Sequence, residues 1–241
     1  MSETPAPIYR RLALVGCGMI GSSVVRAARA KGAVGEIAVF DPSEAVRARV
    51  AELEIADEVC ASGEAAVRGA DLVLFAAPPL SIAPAAQAVA SALAPGATIT
   101  DVGSVKTAVS EGLSRLGRDD VFVVPGHPIA GAETSGPDAG RAGLFENRWT
   151  ILTPLERDDA PYREAVDRLT GFWRTLGANV ELMDPRHHDL VLAVTSHLPH
   201  LIAYNIVGTA ADLEAVTRSE VIKYSAGGFR DFTRIDRKSV V

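Results

Sequence analysis

The feature that most restricts the fold is a glycine turn in a particular context. Residues 12–15 form a short apolar run that passes into Gly16-Cys17-Gly18-Met19-Ile20-Gly21, and a helical pattern follows at once. In GxGxxG between a strand and a helix, the first glycine permits the tight turn and the second lets the backbone approach a pyrophosphate. The third lets helix and strand pack closely. The helix N-terminus then turns its unpaired N–H groups toward the anion. Residues 16–21 are therefore expected to cradle the phosphates of a dinucleotide. Asp41 ends the next apolar run, 20 residues after Gly21, where a carboxylate can accept hydrogen bonds from the ribose hydroxyls of an adenosine. An acid there favours NAD, while Arg47 and Arg49 lie close enough in sequence to leave NADP open. In the alternative, the glycines only form a turn and Asp41 only caps a helix starting near Ser43. Strand, turn, helix and spaced acid together favour the dinucleotide.

The chain repeats this alternation as far as residue 184. Apolar runs at 12–15, 37–40, 72–76, 98–102 and 121–124 read as buried parallel strands, separated by helical patterns at 22–31, 43–53, 81–93 and 105–116. Continuous apolar runs are what strands become when helices cover both faces of a sheet. Further strands at 149–153 and 179–183, flanking a helix at 160–176, are expected to continue the same sheet past the glycine-rich loop 131–143. The fold class is α/β: a Rossmann-type, doubly wound, mostly parallel sheet over residues 1–184. From Pro185 only helical patterns remain, at 187–211 and 213–224. A helix with apolar positions on more than one face needs a partner, so residues 185–241 are expected to be an all-helical domain that forms a homodimer.

Composition excludes several classes. The 241 residues, 48% of them hydrophobic, suffice for a core. The 24 basic and 30 acidic residues give a net charge of −6, without the basic blocks that would track a nucleic acid or an anionic membrane. Cys17 and Cys60 have no metal-type spacing and are too few for a disulfide framework, which fits a reducing compartment. No metal site is expected. The start lacks a secretory apolar region, and no uninterrupted run of roughly 18 apolar residues is seen. A soluble, cytoplasmic protein with no membrane partner is expected.

Three loops should follow strands at the ligand edge of the sheet: Ala77-Pro78-Pro79, Asp101-Val102-Gly103-Ser104-Val105-Lys106, and Pro125-Gly126-His127-Pro128-Ile129-Ala130-Gly131. Ala77 and Pro78 are expected to touch the cofactor. His127 is the one titratable base in the three loops, and oxidation of an alcohol carbon needs a group to take the hydroxyl proton. Ser104 could orient the imidazole or meet the nicotinamide amide, and Lys106 could simply begin a helix. Farther on, His197 and His200 share a helix face, with Pro199 expected to kink that helix. His187 and His188 read as solvated residues at a helix start. Near the end, Arg230 and Arg234 could each hold a carboxylate in a bidentate grip, or Arg230 could pair with Asp231.

Taken in order, GCGMIGSS, DVGSVK, GHPIAG, SHLPH and GGFRDFTRI resemble the prephenate, arogenate and cyclohexadienyl dehydrogenases of tyrosine biosynthesis. The resemblance implies NAD-dependent oxidative decarboxylation of a cyclohexadienyl substrate, with His127 as the catalytic histidine and Ser104 supporting it. It also implies His197, His200 and Arg234 in the substrate pocket, Arg234 on a carboxylate, and a helical half that dimerises. Two other readings compete. One is a β-hydroxyacid or imine-type oxidoreductase, whose expected catalytic lysine on the first long helix after the sheet is absent. The other is a dinucleotide sensor without turnover, which would need no histidine beside the nicotinamide. The family continues with more helices after Arg234-Ile235, so the helical domain is expected to be truncated. Residues 236–241, which back-translate into a common sequencing adapter, are expected to be a non-native tail.

Overall fold

The computed structural model describes residues 6–131, 134–217, 223 and 227–229. Two compact units are present, residues 1–188 and 189–241. The composition change at 184 precedes this division by four residues, so His187 and His188 belong to the first unit.

The first unit is built as β1 (Tyr9–Val15), α1 (Met19–Ala30), β2 (Val34–Phe40), α2 (Glu44–Glu52), β3 (Glu58–Val59), α3 (Gly63–Val67), β4 (Leu72–Phe75), α4 (Pro79–Val89), β5 (Thr98–Asp101), α5 (Thr107–Leu113) and β6 (Phe122–Val123). The six strands make one parallel sheet in the order β3-β2-β1-β4-β5-β6. Strand order reverses between β1 and β4, and in such a sheet the ligand crevice opens at that point, outside the carboxyl ends of the strands. Sequence patterning misses β3 and α3, which are too short for a periodic signal. The unbroken apolar runs are explained by burial on two faces. Leu12, Leu14, Leu72 and Leu74 pack with Val24, Val25 and Ala28 of α1, while Ala13, Val15, Val73 and Phe75 pack with Ile82 and Ala86 of α4 and Val109 and Leu113 of α5. Successive side chains of one strand point to opposite faces, so both sets must be apolar.

Asp71 ties the amino end of this sheet together. Its carboxylate accepts from the backbone N–H of Arg11 at 2.8 Å and of Arg10 at 3.1 Å, and from Arg168 at 2.8 Å.

The later strands do not extend the sheet. Instead β7 (Gly126–Pro128), β8 (Trp149–Leu152) and β9 (Asn179–Leu182) form a second, three-stranded sheet, with β7 antiparallel to β8 and β8 parallel to β9. The segment between β7 and β8 folds back over α1, where the Arg141 N–H donates to Ser23 Oγ at 3.0 Å. The chain therefore returns antiparallel beside β7 rather than adding to β6. Helix α6 (Ala160–Thr175) makes the crossover to β9 and buries Leu169, Phe172 and Trp173 in the same core as β1.

Helix α7 (Pro185–Leu192) leads into a wide π turn at Ala193–His197 and then α8 (Leu198–Thr217). The helix break expected after residue 211 is not there. Pro199, expected to kink the helix, is preceded by this widened turn: the Leu198 N–H reaches Ala193 O, five residues back, and the turn is completed just before the residue that lacks an N–H. The 29-residue helical stretch Pro185–Leu213 contains an 18-residue window of mean hydropathy 1.4, which by length and composition alone is enough to cross a bilayer. Polar residues such as Ser196, His197, His200 and Asn205 interrupt it, so it holds no continuous apolar run of the length sought in the sequence. Leu190, Val194, Leu198 and Leu201 form an exposed stripe along it.

Candidate active site

The glycine turn has the geometry of an anion cradle. Gly16 takes φ +94°, and a Cβ there would stand 2.4 Å from the carbonyl oxygen of Ala76. A Cβ on Gly21 would stand 2.4 Å from the Gly16 carbonyl oxygen, whereas one on Gly18 would meet no atom within 4 Å. The first and third glycines are thus required by packing of the protein itself. The second is the N-cap of α1 and borders open space, where a phosphate could approach the amides of the first turn. Cys17, Met19 and Ile20 fill the positions between. Ala77 N lies across the turn, 3.5 Å from where a Gly16 Cβ would be, followed by Pro78 and the start of α4. These residues fit an NAD pyrophosphate.

Asp41 stands at the end of β2. Its Oδ2 accepts the Cys17 N–H at 2.8 Å and its Oδ1 accepts the Ser43 N–H at 2.9 Å. Ser43 Oγ caps α2 by accepting from the Val46 N–H. The carboxylate thus braces the glycine turn and holds the Ser43 amide, while the cap of α2 is Ser43 itself and not Asp41. Burial, then the negative charge of Asp41, pushes the Cys17 thiol up to about 12, so this side chain is a neutral packing group.

The carboxyl ends of the central strands connect this turn to His127 through short steps. Gly16 abuts Ala76 beyond β4, the Val102 N–H donates to the Phe75 carbonyl at 3.1 Å, and Asp101 at the end of β5 accepts the Gly126 N–H. From β1 to β5 is two strand spacings, roughly 10 Å.

Lys106 does more than begin a helix. Lys106 and Asp101 are fully buried and paired to each other. Asp101 also accepts the N–H groups of Gly103 at 2.7 Å and Gly126 at 3.2 Å, and Lys106 Nζ donates to the Gly126 carbonyl at 2.7 Å. Burial pushes the Asp101 carboxyl up from its ordinary value, against the pull of Lys106 and the two amides. The pair holds both backbone polar groups of the residue preceding His127. A Cβ on Gly103 would stand 2.9 Å from Asp101 Oδ2, so the turn that carries Ser104 closes tightly over the carboxylate.

His127 lies on β7, not in a loop. It pairs in register with Ile151, and it is half-buried. Its Nδ1 lies 2.9 Å from Nε2 of His188, with the ring planes at 66°. His188 is fully buried, which overturns its reading as a solvated residue. Asp184 is the cause: its Oδ1 caps α7 by accepting the N–H groups of Arg186 and His187, both at 2.9 Å, and its carbonyl accepts the His188 N–H. Neighbouring residues on a helix point about 100° apart, so His187 faces water and His188 faces inward.

In the second unit, His197 closes the π turn, and exposed His200 places Nδ1 2.8 Å from the Ser196 carbonyl. Arg230, Asp231, Arg234 and the tail 236–241 lie outside the described residues. Among the described residues, no three metal-binding side chains cluster.

Residues 24–182 match the family profile described as "Prephenate dehydrogenase, nucleotide-binding domain", and residues 184–239 match "Prephenate dehydrogenase, dimerization domain". The chain belongs to the prephenate dehydrogenase family. Within that family it is 41% identical over 231 residues to the cyclohexadienyl dehydrogenase of Zymomonas mobilis, covering 95% of this chain and 76% of the relative. It is 33% identical to the prephenate dehydrogenase of Bacillus subtilis, covering 94% of this chain and 60% of that one. A crystal structure of prephenate dehydrogenase from A. aeolicus, in complex with hydroxyphenyl propionate and NAD+, superposes with a TM-score of 0.84 at 32% identity, covering 98% of this chain and 80% of that one. Membership decides among the readings left open by the sequence: this is an NAD-binding oxidoreductase family, and the apolar stripe on α7 and α8 falls in its dimerization domain.

Proposed function

We propose that this chain performs NAD-dependent oxidative decarboxylation of prephenate, arogenate or both, giving 4-hydroxyphenylpyruvate or tyrosine, as a cytoplasmic homodimer. One observation carries the reading. A half-buried imidazole, His127, is braced by a buried ion pair beside the carboxyl ends of the strands that bear the glycine turn. When bound, NAD accepts the hydride that leaves C4 of the ring. The chain's own part is to draw the C4 hydroxyl proton onto His127 as that hydride leaves, while the ring carboxylate departs as carbon dioxide and the ring becomes aromatic. Aromatisation supplies the drive, and the protein supplies position and proton management. Ser104, on the tight turn over Asp101, supports the imidazole or the nicotinamide amide. Asp41 takes the adenosine ribose hydroxyls and favours NAD. His197, His200 and Arg234 bind the substrate, Arg234 through a carboxylate.

NADH formation from prephenate and from arogenate, assayed separately, tests this. His127→Asn is expected to keep NAD affinity and to lose at least roughly 100-fold in kcat, within the usual contribution of a positioned base. Turnover retained by that variant would remove His127 from the role. Loss of NAD affinity together with turnover would leave the residue structural.

A further inference from the structure

The two-histidine contact does something that the base on its own cannot. A hydrogen bond between two neutral imidazoles needs one nitrogen of the facing pair protonated and the other bare. If His188 Nε2 carried the proton, His127 would accept at Nδ1 and hold its own proton on Nε2, the form imidazole favours in water. A ring in that state has no lone pair at Nε2 for an incoming hydroxyl proton. If His127 Nδ1 carries the proton, His188 Nε2 accepts it, and Nε2 of His127 is the basic atom. Which nitrogen of a histidine is protonated is set by the partner of the other one, and here that partner is a second ring 61 residues away in sequence.

We propose that His188 is a positioning residue: by accepting the Nδ1–H of His127 it holds His127 in the tautomer with a basic Nε2, and it stabilises the imidazolium formed when that nitrogen takes the substrate's hydroxyl proton. The inference rests on the reading of His127 as the base. Three features suit His188 to the task. It is fully buried, so its ring is shielded from solvent on its own side of the 2.9 Å contact. It sits one turn into a helix whose start is capped by Asp184 through two amides, so the ring's direction is set by backbone. And β7 is held independently at Gly126 by Lys106 and Asp101, so the two rings approach from separately anchored elements. In the step itself the hydroxyl O–H bond breaks, its proton forms the N–H bond at His127 Nε2, and the Nδ1–H stays shared with His188, which neither gains nor loses a proton.

The test compares His188→Leu with His188→Gln, whose amide oxygen can stand where Nε2 stands, and with His127→Asn. The expected result for His188→Leu is a fall in kcat of about 10- to 100-fold, the usual range for a residue that orients a functional ligand. KM and NAD affinity should stay within about two-fold, and His188→Gln should recover most of the loss. Equal loss in the Leu and Gln variants, or a rise in KM at unchanged kcat, would overturn the proposal. Long-range 1H–15N spectra of the histidine rings in the wild-type protein give a readout that needs neither turnover nor a folded variant. They are expected to show His127 protonated at Nδ1 and bare at Nε2, and the opposite tautomer overturns the proposal. If His127→Asn is dead while His188→Leu is fully active, the base survives and only this inference fails. If His127→Asn is active, the base assignment itself fails.

Discussion

Removing the charge of Lys106 isolates what the buried pair contributes. In Lys106→Met, an unbranched chain of similar volume replaces a side chain with no exposed surface, leaving Asp101 equally buried. Breaking a buried pair from one side costs about 3–5 kcal/mol because the remaining charge has lost its counterion. Asp101 keeps the amides of Gly103 and Gly126, which places Lys106→Met near the lower end, about 3 kcal/mol. Asp101→Asn leaves an ammonium with the Gly126 carbonyl as a remaining acceptor, and belongs near the upper end, about 5 kcal/mol. In the double variant neither charge survives, and the amide oxygen introduced at position 101 can still accept from the two backbone N–H groups. Its cost should therefore fall below the sum of the singles by about 2–3 kcal/mol. Urea unfolding followed by the fluorescence of Trp173, buried in the same unit, measures all four proteins through their midpoints and slopes. The Lys106→Met variant should also lose kcat with NAD affinity intact, since the Gly126 carbonyl next to His127 is released. A cost below about 1 kcal/mol for Lys106→Met, or strict additivity in the double variant, would refute the claim that this pair braces β7.

Gly18→Ala should melt like the wild type and lose NAD affinity at least roughly ten-fold, because its Cβ would occupy only the open space before α1, whereas Gly21→Ala should lose both, its Cβ colliding with the Gly16 carbonyl. Calorimetric titration with NAD checks both, and wild-type affinity in Gly18→Ala would sink the phosphate cradle. Asp71 sets an acid limit. Burial would raise its carboxyl, but the amides of Arg11 and Arg10 and the Arg168 guanidinium outweigh that and hold it below its ordinary 3.8. Its contribution is therefore present above that value and is lost as pH falls through the lowered one. The stability difference between wild type and Asp71→Asn should be constant near neutrality and shrink below about pH 4; a difference unchanged down to about pH 2 would contradict this.

What the sequence determined by itself was local or periodic. A strand, a glycine turn and a helix follow one another in an unbroken stretch, and their chemistry is written in that order, so residues 16–21 and Asp41 could be assigned before any contact was known. The two-faced burial of residues 12–15 in β1 and of β4 was legible because a run apolar at every position has water on neither side. His127 stood out because it was the one base in three loops expected at the ligand edge. Only the tertiary structure decided what surrounds it. His187 and His188 are adjacent and alike in sequence, and the step of about 100° between neighbours in a helix capped by Asp184 sends one to water and the other to the ring of His127. Lys106 and Asp101 look like a surface lysine and a strand-end acid until Gly126 closes over them. The second sheet was equally hidden, since β7 is three residues long, too short to show an alternation, and it pairs with a strand that the chain reaches only after folding back over α1. Periodicity fixes which face of an element is buried, whereas the identity of a partner 25 or 61 residues away is set by how the elements pack, and the roles of Asp101 and His188 lie in those partners.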